Sequence, residues 1–518
     1  MNEELKKKLI ELNANPLVRH LQKLPHEFTR EDLINYVTDN EIKRIHFRYA
    51  DLDGKLKELK LPINNRYFLE RILSEGERID GSNPYRGIVS GGNSDLYIVP
   101  IYHLAFQDPF DFEALHIFCR TLGSEGKPLE MIPDNVITKA HRRLKEKTGI
   151  TMNALAELEF FLIYDPETRF PAESQRGYHE SMPFVKGSPV VDDILNVVSA
   201  MTSHVKYCHS EVGFIKMLQS ENPELDGKCL EQFELEFNPA PLEDMAAYVS
   251  MAKWAIRMIA DSYDMSVTFS PKLAVGDAGS GLHIHMELIK DDKNIVLDEN
   301  GELTKESLAV IGGLMKMTKS LTAFGNTVAA SYLRLTPHQE APTKICWGKS
   351  NRSSLVRIPL GWGTLKHLAG QFNPQQNISF NDIMGRATFE FRVPDGSANI
   401  YLLLSGLAVA AYHGLTKPEV ANLSEELFVK GDIFAPENAE ILKKLDDLPY
   451  NCYESAQALK AERNLYEEDN IFPKILIDKM IGVLEAQNDK ELNEKLQHMD
   501  SEERLQYSRK IMHKFIHI

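Results

Sequence analysis

The chain has 518 residues, of which 43% are hydrophobic and 26% charged, and its formal net charge is −16. This acidic balance argues against a nucleic-acid-binding protein, which needs a basic surface. The five cysteines are scattered without a C-x-x-C pair, which predicts free thiols rather than disulfides or a zinc site. No stretch resembles a signal peptide or a membrane span, so we expect a cytoplasmic protein with neither nucleic-acid nor membrane partners.

The N-terminal part of the chain predicts a charged helical extension followed by a small, mainly β domain. Residues 45–49 and 56–61 are typical of strands, and Asp51-Leu52-Asp53-Gly54 between them is typical of a hairpin turn. Residues 123–128 are the best linker candidate. We therefore predict three parts, which are a helical extension over 1–30, a small domain over 31–125 and a large domain over 126–518.

The large domain mixes helices and strands and ends in a charged, helical tail. The hydrophobic spacing predicts helices over 133–147, 192–209, 242–263, 306–324 and, fully buried, 401–415. It predicts strands over 154–164, 230–237, 267–269 and 282–289. From residue 437 onward the pattern is again helical and strongly charged.

Four strand-like segments place metal-ligand side chains on one face. Residues two apart in a strand share a face, and these pairs are Glu157/Glu159, Glu234/Glu236, His283/His285 and Glu390/Arg392. A single E-x-E pair is most often a solvated strand face. Several of them with an H-x-H pair indicate a shared interior, because buried carboxylates are costly unless they are paired or bound to cations. Glutamate oxygens with at most one imidazole favour Mg²⁺ or Mn²⁺ over tetrahedral zinc.

Arginines accompany these carboxylates. Arg352 and Arg357 lie in one short segment, and Arg334 and Arg392 lie on either side of it in the sequence. Arginine recognises carboxylates and phosphates through paired hydrogen bonds, although any one arginine alone is most often part of a surface ion pair. Together with divalent cations, they indicate phosphoryl transfer onto a carboxylate. No P-loop or dinucleotide-binding glycine motif occurs, so a nucleotide would be held by a different fold.

The order and type of these motifs resemble the glutamine synthetase family from about Asp80 to Asn399. The matching motifs are Asp80-Gly81-Ser82, Ala156-Glu157-Leu158-Glu159-Phe160-Phe161, His209-Ser210-Glu211-Val212, Gln232-Phe233-Glu234, Gly279-Ser280-Gly281-Leu282-His283-Ile284-His285, Asn351-Arg352-Ser353 and Glu390-Phe391-Arg392. The resemblance implies an α+β fold, with an N-terminal β-grasp domain before a large catalytic domain that has a curved antiparallel sheet and helices. It also implies ATP-dependent ligation of ammonia to L-glutamate through γ-glutamyl phosphate.

The same resemblance implies a set of metal ligands. ATP would be the co-substrate, with two or more Mg²⁺ or Mn²⁺ ions in each active site. Glu159, Glu211 and Glu234 would hold the first ion. Glu157, His283 and Glu390 would hold the second, which bridges the nucleotide phosphates.

Further roles follow from the resemblance. Gly279, Arg334 and Arg392 would bind the acid substrate, and His285 and Arg357 would contact the nucleotide and its phosphates. Arg352 would stabilise the phosphoryl group in transfer, and Glu340 would close the site against water, which hydrolyses acyl phosphates. Asp80 of a neighbouring subunit would take a proton from ammonium. The implied assembly is a homo-oligomer of stacked rings with active sites between subunits.

Several positions depart from the family pattern. Ala278 replaces an asparagine, Glu287 a small or neutral residue, and Thr388 an arginine, while residues 213–228 and a stretch between Pro359 and Arg386 are interpreted as insertions. These departures keep open a γ-glutamyl-amine ligase that uses a polyamine or another amine. A catalytically silent, ring-forming homologue conflicts with the complete metal-ligand set. A two-metal hydrolase would leave the Asn351-Arg352-Ser353 and Glu340 segments unexplained.

Overall fold

The computed structural model describes residues 3–336, 341–361, 368–376 and 385–518. The N-terminal part contains a sheet in the order β2-β1-β5-β4-β3. Its strands are β1 (Arg44–Ala50), β2 (Leu56–Pro62), β3 (Glu77–Asp80), β4 (Asp95–Gln107) and β5 (Ala114–Leu122). β1 and β5 are parallel, while β1 and β2 form the antiparallel hairpin that the sequence predicts.

Short helices precede and cover this sheet. They are α1 (Glu3–Ile10), α2 (Pro16–Leu21), α3 (Arg30–Asp39) and α4 (Arg66–Glu75). α3 begins at a capping box, in which Thr29 accepts a hydrogen bond from the Asp32 amide and the Asp32 side chain accepts one from the Thr29 amide. The predicted domain boundaries at residues 30 and 125 stay predictions.

The large part is built on one mostly antiparallel sheet in the order β13-β14-β15-β11-β6-β8-β7, with β9 and β10 beside β6 and β12 beside β11. Its strands are β6 (Thr151–Tyr164), β7 (Val205–Ile215), β8 (Cys229–Phe237), β9 (Ala240–Pro241), β10 (Ser266–Thr268), β11 (Leu282–Lys290), β12 (Lys293–Asn294), β13 (Trp347–Lys349), β14 (Val356–Ile358) and β15 (Phe389–Phe391). Together with the N-terminal sheet and the helices, this confirms the predicted α+β fold.

Helices pack on this sheet and continue to the end of the described chain. They are α5 (Pro133–Thr148), α6 (Ser188–Thr202), α7 (Leu242–Ser262), α8 (Lys305–Gly325), α9 (Ala329–Arg334), α10 (Ile400–Thr416), α11 (Pro418–Ala421), α12 (Leu423–Glu426), α13 (Ala439–Leu442), α14 (Cys452–Glu467), α15 (Lys474–Glu485), α16 (Leu492–His498) and α17 (Ser501–His513). α10 is buried on all sides, as its apolar sequence predicts. Among the helices of the described ranges, none has the length and apolar character to cross a bilayer.

The predicted C-terminal end of one helix is wrong. The sequence predicts a helix over 192–209, but α6 ends at Thr202, because Ser203 adopts a left-handed conformation with φ 58°. The chain then enters β7, so His209 lies on a strand that pairs with β8. This places His209 opposite Glu234 in the sheet. The five cysteines are free, as predicted.

The strand order brings the predicted ligand strands side by side. In the β6–β8 pair, Glu157 lies opposite Glu236 and Glu159 opposite Glu234. In the β6–β11 pair, Glu157 lies opposite His283, and β15 adds Glu390 opposite His285. Charged side chains from neighbouring strands therefore converge on one face of the sheet, while the apolar residues of the opposite face enter the main core.

Candidate active site

A cavity of about 240 Å³ opens on the charged face of the large sheet. Its acidic and imidazole lining comes from β6, β7, β8, β11 and β15. These residues are Glu157, Glu159, Glu211, Glu234, Glu236, His209, His283, His285 and Glu390. The lining also contains Gly279 and the four predicted arginines, Arg334, Arg352, Arg357 and Arg392.

Three ligand groups within this cavity have donor atoms within 4.8 Å of one another. They are Glu157/His283/Glu390, Glu159/Glu234/His283 and His209/Glu211/Glu234. The six predicted metal ligands therefore lie together. The grouping differs from the prediction in two ways. His283 lies near Glu159 and Glu234 as well as near Glu157 and Glu390, and His209 joins Glu211 and Glu234. Carboxylate oxygens with one imidazole per group are a donor set that suits Mg²⁺ or Mn²⁺.

The charges of the cluster fit bound cations. Burial and the neighbouring Glu157 and Glu159 carboxylates raise the pKa of Glu234 well above its usual range. This is the response of a carboxylate crowded by like charges in a buried place. A divalent cation at the cluster would remove that repulsion, so the residues present fit the predicted metal ions.

The histidines partly neutralise the cluster. His285 Nε2 lies 2.9 Å from Glu157 Oε1, and His283 Nδ1 lies 3.0 Å from Glu157 Oε2. Although burial favours the neutral carboxyl, these two imidazoles lower the pKa of Glu157 well below its usual range. Burial disfavours the His285 imidazolium, but the Glu157 carboxylate outweighs it and raises the pKa of His285.

The arginines are held in place by the same carboxylates and by backbone oxygens. Arg392 Nε lies 2.9 Å from Glu390 Oε1, and Arg357 Nη1 lies 2.8 Å from Glu390 Oε2. Arg334 is buried and donates to the Val393 carbonyl oxygen at 2.9 Å. Arg392 also donates to the Arg352 carbonyl oxygen. Glu390 thus fixes two guanidinium groups in addition to its place among the metal-ligand candidates.

The glycine-rich segment before β11 allows a close approach of side chains. A Cβ at Gly281 would lie 2.6 Å from both Arg334 Nη2 and His283 Nε2, and one at Gly279 would lie 2.3 Å from the Pro271 carbonyl oxygen. Larger residues would therefore displace the arginine and the imidazole. The Gly281 amide donates to Glu159 Oε2 at 2.9 Å and so orients that carboxylate.

The three residues that depart from the family pattern form hydrogen bonds in the structure. The Ala278 amide donates to Gln175 Oε1 at 2.7 Å, and the Thr388 hydroxyl lies 3.0 Å from His285 Nδ1. Glu287 accepts hydrogen bonds from Asn153 Nδ2 (3.2 Å) and Asn294 Nδ2 (3.1 Å). Burial raises the pKa of Glu287.

One predicted site residue, Asp80, is not in the described lining of the cavity, and a second cannot be placed. Asp80 is exposed at the end of β3, where its Oδ1 accepts a hydrogen bond from the Ser82 amide at 2.9 Å. Glu340 lies outside the described residues.

Several lining residues were not predicted as site residues. Gln232 donates to Glu159 Oε2 at 2.9 Å, and its two-residue spacing from Glu234 was the signal that could have revealed it. Lys206, Tyr207 and Tyr178 also line the cavity. The Lys206 Nζ atom lies 2.5 Å from Glu236 Oε1. No spacing in the sequence marks these three, because their position depends on where β7 begins and on how residues 165–187 fold back.

Comparisons with known proteins define the class to which this fold and site belong. The family description "Glutamine synthetase, catalytic domain" matches residues 130–504, and "Glutamine synthetase, beta-Grasp domain" matches residues 41–123. The chain therefore belongs to the glutamine synthetase family. It is an ATP-dependent ligase, as the motifs predict.

Individual relatives agree with this assignment. The chain is 29% identical to the glutamine synthetase of Clostridium saccharobutylicum over 465 residues, which are 88% of this chain and 93% of the relative. It is 28% identical to that of Thermus thermophilus, covering 84% and 90%. A cryo-EM structure of Plasmodium falciparum glutamine synthetase shares the fold with a TM-score of 0.71 at 19% identity, covering 92% of this chain and 98% of that one. A GmaS/ADP complex has a TM-score of 0.67 at 19% identity, covering 91% and 98%.

Proposed function

We propose that this protein joins ammonia to the γ-carboxylate of L-glutamate, with ATP as the phosphoryl donor and γ-glutamyl phosphate as the intermediate. The observation that carries the proposal is the convergence of six candidate metal ligands and four arginines on one cavity. Acyl-phosphate formation requires the neutralisation of several negative charges at the transferred group, and this is what such a cavity provides.

Metal ions would bind in two adjacent sets of ligands, which His283 connects because it lies near both. Glu159, Glu211 and Glu234 would hold one Mg²⁺ or Mn²⁺ ion, with His209 beside them. Glu157, His283 and Glu390 would hold the other. When bound, these ions supply positive charge at the oxygens of ATP and of the substrate carboxylate.

The other side chains position the reactants. Arg334 and Arg392, with the backbone at Gly279, would bind glutamate. Arg357 and Arg352 would hold the phosphoryl group as it moves from ATP to the γ-carboxylate oxygen. His285 would contact the nucleotide. The rigid attachment of Arg392 and Arg357 to Glu390 supports these roles, because preorganised charges act without reorganisation cost during the reaction.

The remaining roles involve a second subunit and a closing segment. Asp80 of a neighbouring subunit would accept the proton that ammonium loses as it attacks the acyl phosphate, and phosphate would leave. Glu340 would close the site against water. We propose a homo-oligomer of stacked rings in which the β-grasp domain of one subunit completes the cavity of the next.

A γ-glutamyl-amine ligase is the second candidate. Ala278 favours it, because a methyl group lines the cavity where the family pattern has an amide side chain. The insertion over 213–228 lends it less support. Leu218 and Leu225 pack into a small core with Phe161 and Leu230, and the cavity lining includes no residue from 214–228.

The test measures glutamate-dependent ADP release in separate assays with ammonium, methylamine, ethylamine or putrescine as the acceptor. We expect the highest kcat/KM with ammonium. A higher kcat/KM with any of the amines would reject the proposal in favour of the amine ligase. No ADP release with any acceptor would support a catalytically silent homologue.

A matched pair of variants ties the activity to the cavity. Glu390→Gln should lower kcat/KM at least about 100-fold, because one metal ligand and the anchor of two arginines are lost. Glu302→Gln makes the same chemical change at an exposed residue that pairs with Lys349, and should leave kcat/KM unchanged. Equal activity of the two variants would contradict the assignment of this cavity as the active site.

A further inference from the structure

Strand β7 has one extra residue where it borders the cavity. Phe237 and Glu236 are consecutive in β8, whereas their partners in β7 are Val205 and Tyr207. Lys206 is therefore the extra residue of a β-bulge. Consecutive residues of a regular strand point to opposite faces, yet Lys206 and Tyr207 both line the cavity. The bulge thus turns the lysine towards the cavity, as bulges beside active sites commonly do with a side chain.

The Lys206 ammonium is anchored by one carboxylate. Its Nζ atom lies 2.5 Å from Glu236 Oε1 and 4.9 Å from the centroid of the Tyr207 ring. The Lys206 side chain is 42% exposed, whereas that of Glu236 is 3% exposed. An ammonium group has three N–H donors, and the bond to Glu236 uses one of them. Glu236 therefore fixes the position of the ammonium without using its full capacity to donate.

The position of Glu236 in the sheet places this ammonium on one side of the metal-ligand cluster. Glu236 lies opposite Glu157 of the neighbouring strand β6. In the proposed reaction, Glu157 belongs to the ligands of the ion at the nucleotide phosphates. Ligands of the other ion, Glu159 and Glu234, lie two positions further along the same strands. Lys206 therefore borders the part of the cavity that the phosphates would occupy.

The distribution of cations in the lining supports this location. The four arginines come from α9 and from the segments at β14 and β15, whereas β7 lies at the other end of the strand order. Lys206 is the single lysine in the described lining. The arginines would neutralise the phosphoryl group in transfer, but the phosphates nearer the nucleoside need a cation elsewhere. An ammonium is a compact point charge that suits phosphate oxygens.

We propose that Lys206 binds the nucleotide phosphates and that Glu236 positions its ammonium for this contact. The bulge in β7 is the local feature that turns the lysine into the cavity. The inference rests on the proposed function, because it takes the Glu157 side of the cavity as the nucleotide side.

Isothermal titration calorimetry of the full chain in excess Mg²⁺ tests the contact, with ADP and adenosine as the ligands. Lys206→Met removes the charge and keeps an apolar stem, and should weaken ADP binding at least about tenfold through the loss of a charge-assisted hydrogen bond. Lys206→Arg should keep most of the affinity. Adenosine has no phosphate, so its affinity should be the same for Lys206→Met and the wild type. Unchanged ADP affinity in Lys206→Met, or an equal loss for adenosine, would overturn the proposal.

Lys319→Met is the matched control. The Lys319 side chain is also 42% exposed, and its Nζ atom lies 2.7 Å from Asp446 Oδ2, but Lys319 is not in the described lining of the cavity. This variant should bind ADP and adenosine as the wild type does. An equal loss of ADP affinity in Lys319→Met would overturn the assignment to Lys206.

The Glu236→Gln background separates a nucleotide contact from simple neutralisation of Glu236. Lys206→Met alone leaves a buried carboxylate without its ammonium, which disturbs the site whatever else the ammonium does. Glu236→Gln removes that charge, and the further change Lys206→Met should still weaken ADP binding. The double variant also serves if Lys206→Met alone fails to fold. Equal ADP affinity of Glu236→Gln with and without Lys206→Met would overturn the proposal, because the lysine would then only neutralise Glu236.

Steady-state kinetics distinguish the failure of this inference from the failure of the proposed function. Lys206→Met should raise the KM for ATP and leave the KM for glutamate unchanged. An unchanged KM for ATP, in a protein whose wild type shows glutamate-dependent ADP release, would overturn this inference and leave the proposed function standing. A wild-type protein that neither binds nor releases ADP would overturn both.

Discussion

The Glu234 side chain is in electrostatic conflict with the carboxylates around it. It is 7% exposed and lies among ligand groups that contain Glu159, Glu211, His209 and His283. Burial and neighbouring carboxylates raise its pKa. A carboxyl whose pKa is higher in the folded than in the unfolded protein favours folding only when it is protonated. At neutral pH the charged Glu234 therefore lowers the stability of the metal-free protein, and this cost disappears as the pH falls.

Glu234→Gln should therefore stabilise the metal-free protein. We expect the melting temperature in EDTA to rise by about 1–3 °C, because a repelling charge is removed from a buried cluster. The wild-type protein should gain stability on addition of Mn²⁺, since a cation that binds only the folded state stabilises it. The variant should lose most of that gain, because one ligand is missing. Differential scanning fluorimetry with and without Mn²⁺ measures both effects.

The control for this prediction is Glu302→Gln, which makes the same change at an exposed residue. It should leave both the EDTA melting temperature and the Mn²⁺ response as in the wild type. A lower melting temperature of Glu234→Gln in EDTA would contradict the electrostatic account. It would mean that the charged Glu234 stabilises the metal-free fold through its neighbours rather than opposing it.

At the scale of elements, α8 and α10 pack unusually close because of two glycines. A Cβ at Gly313 would lie 2.0 Å from the Ala410 carbonyl oxygen, and one at Gly414 would lie 2.0 Å from the Ala309 carbonyl oxygen. Backbone atoms cannot yield as a flexible side chain can, so these positions admit only glycine. α10 begins at Ile400, after the segment that follows Arg392. The packing of this helix pair thereby supports the position of Arg392, which directly follows β15.

Gly313→Val should destabilise the protein by about 3 kcal/mol, because a branched side chain would force the two buried helices apart. Thermal unfolding and the yield of soluble protein measure the effect. Gly482→Ala is the matched control, since Gly482 lies inside α15 with open space around its Cα. It should be neutral or stabilise by about 0.5–1 kcal/mol, as expected for alanine in a helix. Equal behaviour of the two variants would contradict the close packing of α8 and α10.

The elements also show what the sequence could predict. Alternation is a local property, so the faces of β6, β8 and β11 and the pairing of ligands on each face could be inferred directly. Strand order is not local. That Glu157 faces His283 on one side and Glu236 on the other depends on residues more than 70 positions apart along the chain. The motif resemblance supplied that information, because motif order within a known fold implies neighbouring strands.

The incorrect prediction of a helix over 192–209 has a physical cause. Apolar residues of α6 recur with helical spacing. The following segment, Ser203-His204-Val205-Lys206, has no glycine or proline that would mark the end of the helix. The helix ends through the left-handed backbone of Ser203. As a consequence, Lys206, Tyr207 and His209 were not recognised as residues of strand β7, and their place in the cavity lining could not be predicted.

At the scale of the whole molecule, the site of a single chain lacks one of its proposed groups. Asp80 lies exposed on the N-terminal sheet, outside the lining of the cavity that contains Glu390. If the proposed ring assembly is correct, each active site combines Glu390 of one subunit with Asp80 of the next. A closed ring repeats this heterologous contact around its axis. Two variants that are inactive for different reasons should then complement each other.

Co-assembly of Asp80→Asn and Glu390→Gln subunits tests this. Each variant alone should have little glutamate-dependent ADP release. In a random one-to-one mixture, a site has both native residues when an Asp80→Asn chain supplies Glu390 and a Glu390→Gln chain supplies Asp80. Independent choice at the two positions gives about one quarter of the wild-type activity. The variants are co-expressed with different affinity tags, and doubly tagged oligomers are purified for the assay.

The control is the same two variants purified separately and mixed without subunit exchange, which should stay inactive. A double variant with both substitutions, co-assembled with either single variant, should also stay inactive, because no site can then obtain both native residues. Absence of recovery in doubly tagged oligomers would show that Asp80 and Glu390 act within one chain. Full activity of Asp80→Asn alone would show instead that Asp80 has no part in the reaction, since proton removal from ammonium would then proceed without this carboxylate.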